Sequence, residues 1–75
     1  MPPPMEGRVP PRALVVLRVQ RGAPGPGEAD IRRALQADRA ALALPPADGI
    51  AYRLAGPYPI EVEGRALDEY VAWEV

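Results

Sequence analysis

The sequence predicts a small α+β domain, with one main helix packed on a three- or four-stranded mixed sheet in the order β-α-β-β-(β). Its 75 residues leave room for a single domain. Residues 12–21 are rich in β-branched side chains and are too few for a buried helix between Pro11 and Gly22, which indicates a strand. An alanine-rich segment then indicates a helix, and later segments alternate apolar and polar residues as half-buried strands do.

Residues 1–11 precede this domain and contain prolines at positions 2, 3, 4, 10 and 11. Such a composition is typical of a stiff polyproline-like or disordered segment. We therefore expect a proline-rich N-terminal arm over residues 1–11 and the single α+β domain over residues 12–75. No two prolines in the chain are three positions apart, so the Pro-x-x-Pro spacing that SH3 domains bind is missing.

The glycine- and proline-rich segment 22–27 connects the first strand to the helix. The spacing of Gly22 and Gly27 matches the glycines of a phosphate-binding P-loop. However, Glu28 and Ala29 stand where that motif needs a lysine for the phosphates and a hydroxyl for magnesium. The sequence therefore predicts a flexible connection that binds no nucleotide.

The main helix is predicted over residues 28–44, because acidic residues begin it and two prolines follow it. Asp38 interrupts its apolar stripe. Either the helix bends there, with Asp38 capping a second short segment, or Asp38 faces a partner across a packed surface. We favour the bend, because an unpaired buried carboxylate is costly. The stripe consists of Ile31, Ala34, Leu35, Ala41 and Leu42.

The second half of the chain predicts strands separated by turns. Residues 50–55 and 60–63 alternate apolar and polar side chains, and the segment 56–59, Gly-Pro-Tyr-Pro, is expected to break the chain between them. Residues 66–75 fit both a strand and a helical face. We predict a strand there, since tyrosine, valine and tryptophan favour sheets.

Missing residue types exclude most kinds of catalytic and metal site. The chain has no Cys, His, Ser, Thr or Lys, which removes disulfides, the usual zinc ligands and the common nucleophiles. Two carboxylate pairs remain, Glu61 with Glu63 and Asp68 with Glu69, and we interpret them as solvated strand residues. We therefore expect no enzyme, no catalytic residue, no cofactor, no metal and no small-molecule substrate.

Composition also bears on the cellular setting. No apolar run approaches the roughly 20 residues of a membrane span, and the N-terminus does not resemble a signal peptide. We expect a cytoplasmic protein that does not contact membranes. All nine basic residues are arginine, and Asn and Cys are missing, which fits a GC-rich or thermophilic host.

The function that these exclusions leave is protein interaction or assembly, with a homodimer as the first expectation and another protein as a further possible partner. In the first strand Leu14 and Val16 lie on the opposite face from Val15, and one helix can cover only one face. We expect Leu14 and Val16 to contact a second copy. Tyr70 and Trp73 are expected either as rim or anchor residues of that interface or, equally, as part of the chain's own core.

An alternative function is weak, sequence-independent nucleic-acid binding. Residues 1–39 contain seven arginines and four acidic residues, whereas residues 40–75 contain two arginines and six acidic residues. All four aromatic residues lie in the acidic half, so no base-stacking platform accompanies the arginines, and nucleic acid is the less favoured partner. The arginines that would contact phosphates are Arg12, Arg18, Arg21, Arg32 and Arg33.

Overall fold

A computed structural model describes residues 12–75 as one helix and a three-stranded sheet. The elements, in chain order, are β1 (Leu14–Gln20), α1 (Glu28–Ala41), β2 (Tyr52–Val62) and β3 (Arg65–Glu74). The sheet order is β1-β3-β2, and β3 pairs antiparallel with both neighbours. The predicted α+β class is therefore confirmed, although the sheet is antiparallel throughout and not mixed. The predicted N-terminal arm, residues 1–11, lies outside the described residues.

β2 joins two segments that the sequence analysis separates. The predicted break at residues 56–59 is wrong, because the strand continues through them. Ala55 is opposite Val71 and Tyr58 is opposite Glu69, so β2 has one residue more than β3 between these pairs. This is a β-bulge, which accommodates the glycine and prolines without ending the strand.

A two-residue turn connects β2 to β3. Glu63 and Gly64 both have positive φ, 50° and 76°. Two successive positive φ values characterise the type I′ turn, whose twist matches that of antiparallel strands. The hairpin places residues 66–75 beside β2, so the strand predicted there is confirmed as most of β3.

The helix is shorter and straighter than predicted. It ends at Ala41 and not at residue 44, and Ala43 then takes a positive φ of 58°. The favoured bend at Asp38 is wrong, since the helix continues through this residue. Asp38 instead faces β1, where its Oδ2 accepts a hydrogen bond of 3.0 Å from the Leu14 N–H.

A small core lies between α1 and one face of the sheet. Ile31 and Leu35 of α1 are its two large fully buried side chains. The backbone of the helix lies close to β1 and β3 but not to β2, and the Arg32 guanidinium of α1 reaches the ring of Tyr52 at the start of β2, 5.5 Å from its centre. Leu54 of β2, which is opposite the buried Ala72, is consequently 42% exposed on this same face. The rest of the core consists of Ala13, Ile50 and Ala72, with Val15, Leu17, Ala47 and Tyr52 packed around it.

Candidate functional site

The face of the sheet opposite α1 carries apolar side chains from all three strands. We call this surface the open face. In an antiparallel sheet, directly opposed residues share a face and alternate residues along each strand do so too. The strand register therefore assigns to it Leu14, Val16, Arg18 and Gln20 of β1, Arg65, Leu67, Glu69, Val71 and Trp73 of β3, and Arg53, Ala55, Tyr58, Ile60 and Val62 of β2.

The apolar residues of the open face form continuous rows across the strands. Leu14 is opposite Trp73, and Val16 is opposite Val71, which is in turn opposite Ala55. Leu14 and Val16 are 53% and 48% exposed, because no described residue covers this side of β1. The surface is thus a patch of large apolar groups in solvent, a feature typical of interaction sites.

One ion pair crosses the middle of the open face. Arg18 and Glu69 are directly opposed, and the Arg18 Nε lies 3.1 Å from Glu69 Oε2. Tyr58 lies on the other side of Glu69 and is about half exposed. This polar row separates the rows of Leu14 and Val16 from that of Leu67 and Ile60.

Three of the four predicted interaction residues lie together on this surface. Leu14, Val16 and Trp73 belong to the open face, but Tyr70 does not. Tyr70 is opposite Leu17 on the helix side, and its hydroxyl packs against Gly25 so closely that a Cβ there would lie 2.9 Å from it. The reason is strand alternation, because Tyr70 and Trp73 are three positions apart.

Sequence reasoning missed several members of the open face. The sequence predicts a break at Tyr58, whereas this residue lies within β2. The sequence predicts Val71 and Ile60 as strand residues, but whether they lie on the same face as Val16 depends on the register between strands. The sequence does offer one signal for Val71: it is two positions from Trp73, and residues two apart in a strand lie on the same face.

The arginines proposed for nucleic-acid binding do not share one surface. Arg18 lies on the open face, while Arg32 and Arg33 belong to the helix. Each of these three pairs with a carboxylate: Arg18 with Glu69, Arg32 with Glu28 and Arg33 with Asp30. Arg21 donates to the carbonyls of Ile60 and Leu67 and lies 3.8 Å from Asp68, and Arg12 is exposed beside β1.

The candidate carboxylate pairs are separated or already bonded. Glu61 is in β2 but Glu63 is in the turn, so the two do not share a strand face. Asp68 and Glu69 are adjacent in β3 and therefore lie on opposite faces. Asp68 also accepts a hydrogen bond from the Gly22 N–H at 3.2 Å, which places a carboxylate beside the P-loop-like segment.

The ion pair between Arg39 and Glu74 joins α1 to the sheet on the helix side. Arg39 donates a hydrogen bond to Glu74 Oε2. It also donates two to the carbonyl oxygen of Pro45, from Nη2 at 2.6 Å and from Nε at 2.9 Å. Glu74 Oε1 accepts from the Ala13 N–H at 3.2 Å. These hydrogen bonds, that from Arg39 above all, hold the pKa of Glu74 below its usual 4.5. The charged groups of Arg39 and Glu74 are thus hydrogen-bonded within the chain and hold α1 against β3. We call this pair and its backbone partners the clamp.

Residues 12–75 contain no group of three or more His, Cys, Asp or Glu side chains that could hold a metal ion. In the same part of the chain, no helix is both long and apolar enough to span a membrane. The open face, with Leu14 and Val16 about half exposed, is the candidate functional site of the described residues. Comparison of the chain with protein-family models, with curated proteins and with solved structures found no match.

Proposed function

We propose that this chain is a non-catalytic interaction module that self-associates, and that the open face is the surface through which two copies pack. The observation that supports this most is the exposure of Leu14 and Val16 on a face that α1 does not cover. Val71 and Trp73 adjoin them on the central strand. A second copy offers the same apolar rows, and a symmetric dimer is the commonest way in which soluble proteins cover such a patch.

The expected energy of this contact is modest. Fully burying a leucine or valine side chain gives roughly 1.5–3 kcal/mol. Leu14 and Val16 are already about half covered, so each gains roughly 1 kcal/mol from a partner. Their contribution is nonetheless useful to a domain whose described residues include two large, fully buried side chains, Ile31 and Leu35.

Nucleic-acid binding is not favoured by any contact in the described residues. The arginines that would carry it are dispersed over opposite sides of the domain, and Arg18, Arg32 and Arg33 are each paired with an acidic residue. As part of the same proposal we place the protein in the cytoplasm of a GC-rich or thermophilic host, on the basis of its cysteine-free and arginine-rich composition.

The test is the solution mass of the native chain and of two matched variants. Val16→Asp places a charge on the open face, whereas Leu54→Asp places the same charge on a similarly exposed leucine of the opposite face. We expect light scattering at high concentration to give a multiple of the 8.1 kDa chain mass for the native protein. Val16→Asp should halve that mass, and Leu54→Asp should leave it unchanged.

Two results would contradict the proposal. One is a native protein that stays monomeric at every concentration. The other is an associated protein whose mass responds equally to Val16→Asp and Leu54→Asp, because the contact would then not depend on the open face. Circular dichroism of both variants establishes that each retains the native fold.

A further inference from the structure

The two edges of the sheet differ in their capacity to pair with another strand. β2 forms one edge and β1 the other. On β2, Pro57 and Pro59 lack the N–H groups that an additional strand would need, which is a common protection of edge strands. β1 contains no proline. The edge available for strand addition is therefore that of β1.

Alternate residues of β1 direct their backbone groups away from the sheet. The Glu74 N–H donates to the Ala13 carbonyl and the Arg21 N–H donates to the Ala66 carbonyl, so odd-numbered residues pair with β3. The N–H and C=O groups of each residue in an antiparallel strand are directed to the same side. The backbone groups of the even-numbered residues, Leu14 through Gln20, consequently form the outer edge.

Both ends of this edge are bonded within the chain. The Leu14 N–H donates to Asp38 Oδ2 at 3.0 Å, and the Gln20 carbonyl accepts from the Ala23 N–H at 2.9 Å. No described residue bonds the outward N–H and C=O groups of Val16 and Arg18, the Leu14 carbonyl or the Gln20 N–H. The middle of the edge is therefore a short template for one more strand.

We propose that a second copy of this chain adds its β1 antiparallel to β1, with Val16 opposite the partner's Arg18. In this register Val16 and the partner's Arg18 exchange both of their backbone hydrogen bonds, and the two-fold axis repeats the exchange. The Leu14 carbonyl meets the N–H of the partner's Gln20. The two groups left facing each other, the Leu14 N–H and the carbonyl of the partner's Gln20, are those already bonded within each chain.

Neighbouring registers are less favourable. A register with Arg18 opposite the partner's Arg18 sets like charges directly against each other. A register with Val16 opposite the partner's Val16 leaves the Arg18 carbonyl facing the partner's Leu14 N–H, which is already bonded. The free groups of this edge are thus self-complementary in one register, which favours a second copy over an unrelated strand. Residues 1–11 suit the edge poorly, because five of them are prolines without an N–H.

This inference rests on the proposed self-association and extends it. Along the seven residues of β1, where the three strands lie side by side, about 3.3 Å per residue and about 4.8 Å between strands give the open face a footprint of roughly 330 Å². Interfaces of standard size bury about 800 Å² per partner. Pairing at β1 joins two open faces into one six-stranded face. The two-fold axis of this edge pairing is perpendicular to the two-fold axis of face-to-face packing. The two contacts together therefore give an assembly of four chains.

The experiment compares Arg18→Pro with Arg18→Ala. Proline removes the outward N–H but leaves the hydrogen bonds of β1 to β3, which come from odd-numbered residues. Alanine removes the same side chain, including its ion pair with Glu69, and keeps the N–H. We expect Arg18→Pro to halve the mass of the native assembly and Arg18→Ala to preserve it. Equal masses for the two variants and the native chain would overturn the inference.

Amide hydrogen exchange on the native chain provides a readout that needs no variant. In the assembled protein the Val16 and Arg18 amides should exchange at least about tenfold more slowly than in a dilute sample. Rapid exchange in the assembled sample would refute edge pairing and leave face-to-face packing intact. Protection that persists on dilution would show that the chain covers its own edge. Val16→Asp weakens the face contact but keeps the backbone N–H that edge pairing uses, and its carboxylate would stand opposite the partner's Arg18, so the two proposals fail separately.

Discussion

At the scale of single residues, Glu74 connects three parts of the fold. Its carboxylate accepts hydrogen bonds from Arg39 of α1 and from the backbone of Ala13 next to β1, while its own backbone belongs to β3. Arg39 in turn donates to the Pro45 carbonyl. The ionised carboxylate is therefore stabilised in the folded protein by groups that are not held beside it in the unfolded chain, and this lowers the pKa of Glu74.

The lowered pKa of Glu74 makes stability depend on pH in acid. Because the folded-state pKa lies below the ordinary 4.5, the contribution of Glu74 is complete above pH 4.5 and is lost as pH falls through the folded-state value. We expect Glu74→Gln to lower the free energy of unfolding at pH 7 and to cost progressively less below pH 4.5. Urea denaturation at a series of pH values measures this difference.

Arg39→Gln serves as the companion variant, since it removes the largest cause of the pKa shift. Its cost should diminish over the same acidic range. If the destabilisation by Glu74→Gln were constant from pH 7 to pH 3, the clamp would not depend on the carboxylate charge.

At the scale of elements, the bulge in β2 depends on Gly56. This residue has a φ of 123°, and a Cβ added to it would lie 2.7 Å from the backbone carbonyl oxygen of Glu69 on the neighbouring strand. Only glycine tolerates both conditions, because it has no Cβ. The bulge is what allows a Gly-Pro-Tyr-Pro segment to remain in the sheet and to present Tyr58 on the open face.

Two glycine substitutions separate the bulge from ordinary turn strain. Gly49 also has a positive φ, 58°, but a Cβ there meets no atom within 4 Å. We expect Gly49→Ala to destabilise the protein by about 1–2 kcal/mol, the usual cost of left-handed backbone. Gly56→Ala should cost roughly 3 kcal/mol or more, since the strain of its backbone adds to a clash with a carbonyl. Equal costs in chemical denaturation would mean that β2 adapts at the bulge.

At the scale of the whole molecule, α1 covers one face of the sheet, and no other element of residues 12–75 covers the opposite face. A single helix of 14 residues covers β1 and β3 from one side only. The large buried side chains of residues 12–75 are correspondingly few, namely Ile31, Leu35 and Ile50. Small domains with such cores gain stability from association, because contact with another copy removes further apolar surface from water.

The melting temperature of the native chain should therefore rise with protein concentration. Association that favours the folded state contributes a free energy that grows with the logarithm of concentration, and we expect an increase of about 3–6 °C per tenfold concentration. The variant that combines Val16→Asp with Arg18→Pro should melt at one temperature throughout. A native melting temperature independent of concentration would argue against association in the folded state.

The sequence by itself determined the class of the fold and the alternation of its strands. The β-branched run of β1, the alanine-rich α1 and the period-two pattern of β3 are local properties, and local propensity and periodicity report them directly. Because the sequence has no Cys, His, Ser, Thr or Lys, it likewise offers no disulfide, none of the usual zinc ligands and none of the common nucleophiles. The exposure expected for Leu14 and Val16 also followed from strand alternation and from the presence of a single helix.

Only the tertiary structure decided which residues share the open face and how each strand edge is satisfied. Alternation along β3 places Tyr70 and Trp73 on opposite faces, but the register with β1 decides that Trp73 shares the face of Leu14, and register depends on contacts between residues distant in sequence. Asp38 was expected to bend the helix, but its role depends on β1, 24 positions earlier, whose first N–H it bonds. The bulge kept β2 continuous because pairing with β3 outweighed the local signals of glycine and proline.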